Sequence, residues 1–95
     1  MKIFGEATVA GFARKHPPSR KLLQRFLTIA RAAVWPYFPA VKETFPATDY
    51  APATGTLIFD ISGNKYRLIA RVDFDQQLFV IDTVLTHQEY DQEDL

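Results

Sequence analysis

The spacing of hydrophobic residues changes about halfway along the chain. In the first half they recur every three or four positions, which is typical of amphipathic helices and predicts helices over 7–15 and 20–33. In the second half they alternate with polar residues, which predicts strands over 56–61, 66–74 and 78–85. Helices followed by an antiparallel meander predict a fold of the α+β class.

Shorter elements are predicted between these. Residues 2–4 have the composition of a short strand. Prolines end the second long helix and leave room for one further helical turn over 40–45. Residues 47–55 are predicted to be a loop from their composition. Gly63 and Asn64 are typical of a two-residue hairpin turn, which requires positive φ angles.

A short C-terminal helix is predicted to begin directly after the last strand. Thr86 and Glu89 have the spacing of a capping box, in which the threonine caps the helix and the glutamate bonds back to the cap. His87 and Tyr90 then lie three residues apart on one helix face. Two interpretations stay open. Either the pair is a rigidly supported reactive site, or Tyr90 packs on the core and His87 is solvated.

Length and composition favour one small domain, predicted to span residues 1–95. Hydrophobic residues make up 47% of the chain, which is enough for a single core. No apolar run approaches the ~20 residues of a membrane span, so no membrane partner is expected. The start has no apolar signal region and the chain has no cysteine, which fits a cytoplasmic protein.

The net charge is zero, but the two halves of the chain have opposite charges. Residues 1–42 carry eight basic residues and one acidic residue, whereas residues 43–95 carry three basic and ten acidic residues. Such asymmetry indicates contact with nucleic acid. The alternative is a structural module whose two halves neutralise each other, and composition alone does not separate the two.

Basic residues gather on two predicted faces. The outer face of the second long helix has four, without an acid, namely Arg20, Lys21, Arg25 and Arg31. One face of the strand 66–74 and the residue before it has three, namely Lys65, Arg67 and Arg71. If this strand neighbours the last one, its cationic face lies near His87 and Tyr90.

A histidine, a tyrosine and several cations suit metal-independent cleavage of RNA. One group takes the proton of the ribose 2′-hydroxyl and another protonates the leaving 5′ oxygen. Arginine and lysine stabilise the charge that develops on the phosphate. Histidine fits either proton role because it titrates at ~6.5 when unperturbed.

Other kinds of site have less support. Four aspartates that are candidates for magnesium are divided between faces and turns: Asp60, Asp73, Asp75 and Asp82. The chain has no glycine-rich phosphate loop and no Cys–His zinc pattern, so neither a metal nor a cofactor is expected. His16 precedes two prolines and is predicted to be a surface residue.

Four segments resemble the HigB toxins of bacterial type II toxin–antitoxin systems, which are RelE-like mRNA interferases. The segments are "FARKHP" (12–17), "VWPYFPAVKETFP" (34–46), "FDISGNKYRLIARVDF" (59–74) and "VLTHQEYD" (84–91). The resemblance implies two N-terminal helices packed on a small antiparallel sheet. It also implies cleavage of mRNA during translation on the ribosome, and neutralisation by a cognate antitoxin with a helix-turn-helix domain.

The resemblance also implies roles for individual residues. Lys42, Lys65 and Arg67 match the cationic positions of the family, and His87 and Tyr90 match the proton-transfer positions. Arg71 and the basic face of the second long helix are predicted to bind RNA.

The chain departs from the family pattern at several positions. Relatives tend to have Asn at position 60, Gly at 62 and a basic residue at 82, where this chain has Asp60, Ser62 and Asp82. Strict alternation places Asp82 on the face of Val84, where it is predicted to pair with Arg67 and withdraw it from phosphate. The acidic end "QEDL" adds to this effect, so an inactive RelE-like module that binds RNA, the ribosome or the antitoxin is the alternative function.

Overall fold

The computed structural model describes residues 1–63 and 65–92, which form four α-helices and a five-stranded sheet. The helices are α1 Glu6–Lys15, α2 Arg20–Ala32, α3 Phe38–Thr44 and α4 His87–Asp91, with a 3-10 turn at Pro17–Ser19. The strands are β1 Lys2–Phe4, β2 Asp49–Ala51, β3 Thr56–Ile61, β4 Tyr66–Asp73 and β5 Leu78–Thr86. The predicted α+β class is therefore confirmed.

The sheet has the strand order β1-β5-β4-β3-β2. The strands β2 to β5 pair antiparallel as a meander, and β1 joins β5 in parallel at the edge. The prediction that 47–55 is only a loop was wrong, because Asp49–Ala51 pairs with the first half of β3. Three residues are too few for alternation to show, so this strand depends on its partner rather than on its own pattern.

The helices α1, α2 and α3 cover one face of the sheet and enclose the main core. Amphipathic α2 inserts four buried residues, namely Leu23, Phe26, Leu27 and Ala30. The strands contribute alternate residues, such as Leu68 and Phe79, neither of which is exposed. The apolar faces of the helices in the first half of the chain thus pack against the apolar face of the strands in the second half.

The opposite face of the sheet carries a smaller cluster. Ala51, Ile58 and Ile69 are buried there, and Leu85 and Tyr90 pack against them. Because Tyr90 belongs to α4, the C-terminal helix folds back over the face that the other helices leave open. This placement brings α4 next to β4.

A β-bulge interrupts the pairing of β4 with β5. Ile69 pairs with Thr83 and Ala70 with Ile81, so Asp82 is an extra residue between them. The bulge shifts the alternation of β5 by one residue, and both Ile81 and Val84 are buried in the main core. The prediction that Asp82 shares a face with Val84 was therefore wrong.

The turns at the two ends of the sheet are fixed by backbone geometry. Gly5, between β1 and α1, has a φ of +93°, and a Cβ there would lie 2.7 Å from the Ile81 carbonyl oxygen. Positive φ also occurs at Ser62 and Gly63 in the β3–β4 connection. The part of the hairpin prediction that concerns Asn64 lies outside the described residues.

Candidate active site

The helix α4 begins where β5 ends, and the predicted capping box is confirmed. The Glu89 amide donates to Thr86 Oγ1 at 3.1 Å, and the Thr86 amide donates to Glu89 Oε1 at 2.9 Å. The bond from the Thr86 amide is the main reason that the pKa of Glu89 is lowered from its ordinary value. The His87 amide donates to the Lys65 carbonyl at 2.8 Å. The first residue of α4 is thereby fixed to the start of β4.

Arg67 lies at the centre of the site and is only 7% exposed. Its Nε is 3.0 Å from Asp60 Oδ1 on β3, and Nη1 donates to the Tyr66 carbonyl at 3.3 Å. The Tyr90 ring lies over the guanidinium, with 5.3 Å between Cζ and the ring centroid. A cation at this distance from an aromatic face is attracted to it. Asp60 and Tyr90 thus hold the guanidinium from two sides.

His87 has a polar neighbour at each ring nitrogen. Its Nδ1 lies 3.5 Å from Nη2 of Arg67, and its Nε2 lies 3.3 Å from Oδ2 of Asp91, one helical turn further on. Guanidinium nitrogens only donate, so Nδ1 of the neutral imidazole accepts and Nε2 carries the proton towards Asp91. The contacts therefore assign one tautomer to the neutral ring.

The structure agrees with parts of both interpretations of the His87–Tyr90 pair. Tyr90 packs against the small cluster, and it also covers Arg67. His87 keeps 43% of its side chain exposed while it contacts the same guanidinium. A histidine, a phenol and a buried cation are therefore brought together at one end of the sheet.

Two more cations belong to this part of the sheet: Lys65 directly precedes β4, and Arg71 lies four residues after Arg67 on it. Lys65 is exposed, and its backbone carbonyl holds α4. Arg71 Nη2 donates to Asp82 Oδ1 at 2.9 Å, and both side chains are accessible, at 61% and 30%. The predicted pairing of Asp82 with Arg67 was wrong, because the bulge places Asp82 against Arg71 while Arg67 pairs with Asp60.

The basic residues of α2 and α3 lie outside the cluster of Arg67, His87 and Tyr90. Arg20, Lys21, Arg25 and Arg31 are all exposed on α2, as predicted. Arg25 lines a shallow depression together with Asp60 and Ser62, so it reaches the end of the sheet that carries the site. Arg31 instead pairs with Glu6. Lys42 is exposed in the last turn of α3, and no hydrogen bond or ion pair links it to Arg67, His87 or Tyr90 in the described part of the chain.

The sequence analysis missed three features of this region. Asp91 stands four residues after His87, a spacing on the predicted helix that was available as a signal. Asp60 faces Arg67 across the β3–β4 pair, which required the register to be known. His16 was predicted to lie on the surface, but it is half-buried, because its ring stacks on Phe12 with 4.4 Å between centroids.

Within residues 1–63 and 65–92, no group of three or more His, Asp or Glu side chains is placed to hold a metal ion. None of the helices in these same residues is long and apolar enough to cross a membrane.

Comparison with known proteins gives consistent matches. Residues 19–93 match the family described as HigB_toxin, RelE-like toxic component of a toxin-antitoxin system. The chain is 30% identical to the mRNA interferase toxin HigB of Escherichia coli (strain K12) over 96 residues, which cover 96% of this chain and 88% of the relative. The mRNA interferases HigB of Escherichia coli O157:H7 and Shigella flexneri match to the same extent. The family match includes β4, β5 and α4, which carry the candidate site.

Proposed function

The chain belongs to the family of HigB toxins, the RelE-like toxic components of toxin–antitoxin systems. From this premise we propose that it cleaves mRNA with Arg67, His87 and Tyr90 as its catalytic residues. The membership confirms the resemblance drawn from the sequence. As a member, the protein is an mRNA interferase, with mRNA as its substrate and an antitoxin as its partner. The observation that carries the mechanism is the contact of both His87 and Tyr90 with the buried guanidinium of Arg67.

The reaction needs two proton transfers and no metal. The ribose 2′ oxygen loses its proton and attacks phosphorus, the bond from phosphorus to the 5′ oxygen breaks, and that oxygen gains a proton. His87 takes the first proton at Nδ1, the ring nitrogen that its contacts leave without a proton, once the 2′-hydroxyl replaces Arg67 Nη2 beside it. Tyr90 gives the second from its phenol hydroxyl.

The cations stabilise the phosphate as its charge increases. Arg67 supplies a fixed charge inside the cluster, because its burial and its contacts with Asp60 and Tyr90 hold it in place. Preorganised charge of this kind is commonly the largest single contribution to such a reaction. Lys65 is exposed beside His87 and supplies a second, adaptable charge.

The wider interaction with substrate and partners follows from exposed cations. We assign Arg71, Lys42 and the four basic residues of α2 to RNA binding through phosphates, which positions the strand without reading its sequence. We propose that cleavage takes place in the cytoplasm on messages bound to the ribosome, and that the antitoxin carries a helix-turn-helix domain. We assign Lys42 to binding, since it is exposed in the last turn of α3.

One observation favours a second candidate function. Arg67 is paired with Asp60, and Arg71 with Asp82, so both cations have an acid beside them before any phosphate arrives. A HigB-like module that binds RNA, the ribosome or the antitoxin without cleaving fits this neutralised arrangement. Cleavage of a translated message by purified protein separates the two functions.

The catalytic assignment is tested with His87→Ala and Tyr90→Phe. Each change is expected to lower the rate of cleavage of a translated message by about 10²–10⁴-fold, which is the usual contribution of one general acid or base. Tyr50→Phe is the matched control, since it removes a phenol that is 55% exposed on β2. If wild-type protein cleaves and both variants cleave equally well, this pair does not transfer the protons. If wild-type protein binds the message without cleaving it, the second function is correct.

A further inference from the structure

A groove of about 570 Å³ lies between α1 and the second half of β5. It exists because β1 pairs only with Leu78–Val80, after which the chain turns at Gly5 into α1. The rest of β5 therefore has a helix beside it instead of a strand. Gly11 has no side chain, so the helical wall of the groove stays open at its middle.

The helical wall is basic and belongs to a basic corner of the fold. Arg14, Lys15 and His16 end α1 and line the groove. They begin an eight-residue segment, 14–21, that holds four arginine or lysine side chains, one histidine and no acid. Arg14 and Lys15 are exposed. The segment itself contains no acid, and Glu89 of α4 lines the same groove.

The opposite wall is formed by β5 and by Glu89 of α4. Glu89 Oε1 accepts from the Thr86 amide, so this carboxylate is engaged in capping the helix. The hydrogen bond from the Thr86 amide lowers the pKa of Glu89 most, and the nearby His16 and Lys15 of the α1 wall lower this pKa further. An ionised Glu89 repels phosphate from the α4 wall and leaves the α1 wall as the place for it.

The groove and the candidate active site lie on two sides of α4. Glu89 faces the groove, whereas His87 and Tyr90 of the same helix contact Arg67 on the other side. The separation is about one helix diameter, ~10 Å. A single strand of RNA that leaves Arg67 and crosses α4 therefore enters this groove.

We infer that the groove binds the RNA segment that flanks the cleaved bond, with Arg14 and Lys15 holding its phosphates. The inference rests on the proposed function. It adds a binding surface on α1 to the cations already assigned, and it predicts that affinity depends on the length of the RNA. A short RNA reaches only Arg67 and Lys65, whereas a longer one also reaches the end of α1.

The test uses protein carrying His87→Ala, so that bound RNA stays intact. Binding of a trinucleotide and of a longer single-stranded RNA is measured by fluorescence anisotropy at several salt concentrations. Lys15→Gln is expected to weaken binding of the longer RNA several-fold and to reduce its salt slope by about 0.7, the value for one phosphate contact in a single strand. Binding of the trinucleotide is expected to stay unchanged.

Two further variants separate charge from shape. Lys2→Gln is the matched control, since Lys2 is also exposed but pairs with Leu78 at the far end of the sheet. This variant is expected to bind both RNAs with unchanged affinity. Gly11→Gln fills the groove without altering the charge and is expected to weaken binding of the longer RNA only. Circular dichroism verifies that each variant is folded.

The inference is wrong if Lys15→Gln and Lys2→Gln behave alike, or if the trinucleotide and the longer RNA lose affinity equally. It is also wrong if Lys15→Gln keeps its RNA affinity but loses binding to the antitoxin, because the groove is then a docking surface for protein. Failure of the proposed function is recognised separately, since wild-type protein then fails to cleave a translated message at all.

Discussion

Two arginine–aspartate pairs on the same sheet differ mainly in burial, and this difference predicts how much each stabilises the fold. The side chains of Arg67 and Asp60 are 9% and 26% exposed, whereas those of Arg71 and Asp82 are 61% and 30% exposed. Asp60→Asn and Asp82→Asn remove the same charge from each pair and keep nearly the same shape. The comparison therefore isolates the effect of the environment on an ion pair.

The expected magnitudes follow from the two environments. A hydrogen bond to a charged group contributes about 1.5–3 kcal/mol, and Arg67 cannot turn to water when its partner is neutralised. Since asparagine still accepts a hydrogen bond, Asp60→Asn is expected to lower the free energy of unfolding by about 1–2 kcal/mol. An exposed pair is worth about 0–1 kcal/mol, so Asp82→Asn is expected to cost less than about 0.5 kcal/mol.

Urea and thermal unfolding, followed by circular dichroism at neutral pH, measure both effects. In a domain of this size each kcal/mol lowers the melting temperature by roughly 4–8 °C, so the two variants are readily distinguished. Added salt is expected to reduce the small Asp82 effect further and to leave most of the Asp60 effect, because buried pairs are less screened. Equal losses for the two variants, or a larger loss for Asp82→Asn, would refute the reasoning.

Three further predictions concern backbone geometry and pH. Gly5→Ala is expected to destabilise by more than about 2 kcal/mol, because of its positive φ and the contact of the new Cβ with the Ile81 carbonyl. Gly11→Ala is expected to stabilise α1 by about 0.5–1 kcal/mol in the same denaturation assay, since its Cβ has ordinary space; loss of stability would contradict this. Because the pKa of Glu89 is lowered in the folded protein, its contribution is present above about 4.5 and is lost as the pH falls through the folded value. Glu89→Gln is expected to flatten that part of the pH–stability profile, and an unchanged profile would show that the capping charge is unimportant.

The sequence predicts the elements whose pattern is local. The predicted helix 20–33 ends at Ala32, within one residue of its prediction, because its apolar face repeats over four turns. The helix α4 is too short to show a period, yet Thr86 and Glu89 predict its first residue through capping chemistry. Both signals lie within a few residues of the structure that they specify.

Features that depend on pairing at a distance are not predictable in this way. The bulge at Asp82 breaks the strict alternation from which its partner was inferred, and only the register of β4 and β5 reveals it. The burial of His16 depends on Phe12 and Tyr66, which the fold brings to it. The presence of His87 and Tyr90 in the site was predictable, whereas the acids that contact Arg67 and Arg71 were not.

The shortness of α4 has a consequence for how the candidate site is maintained. A helix of five residues does not form in water alone, so its free energy of formation comes from the capping box, the bond to the Lys65 carbonyl and the packing of Tyr90. We therefore expect the segment to open locally at a lower cost than β4, and its amide protons to exchange with solvent earlier than those of Leu68 or Ile69. Under the proposed mechanism, only molecules with α4 closed hold His87 and Tyr90 beside Arg67, so conditions that favour local opening are expected to lower the cleavage rate before the protein unfolds.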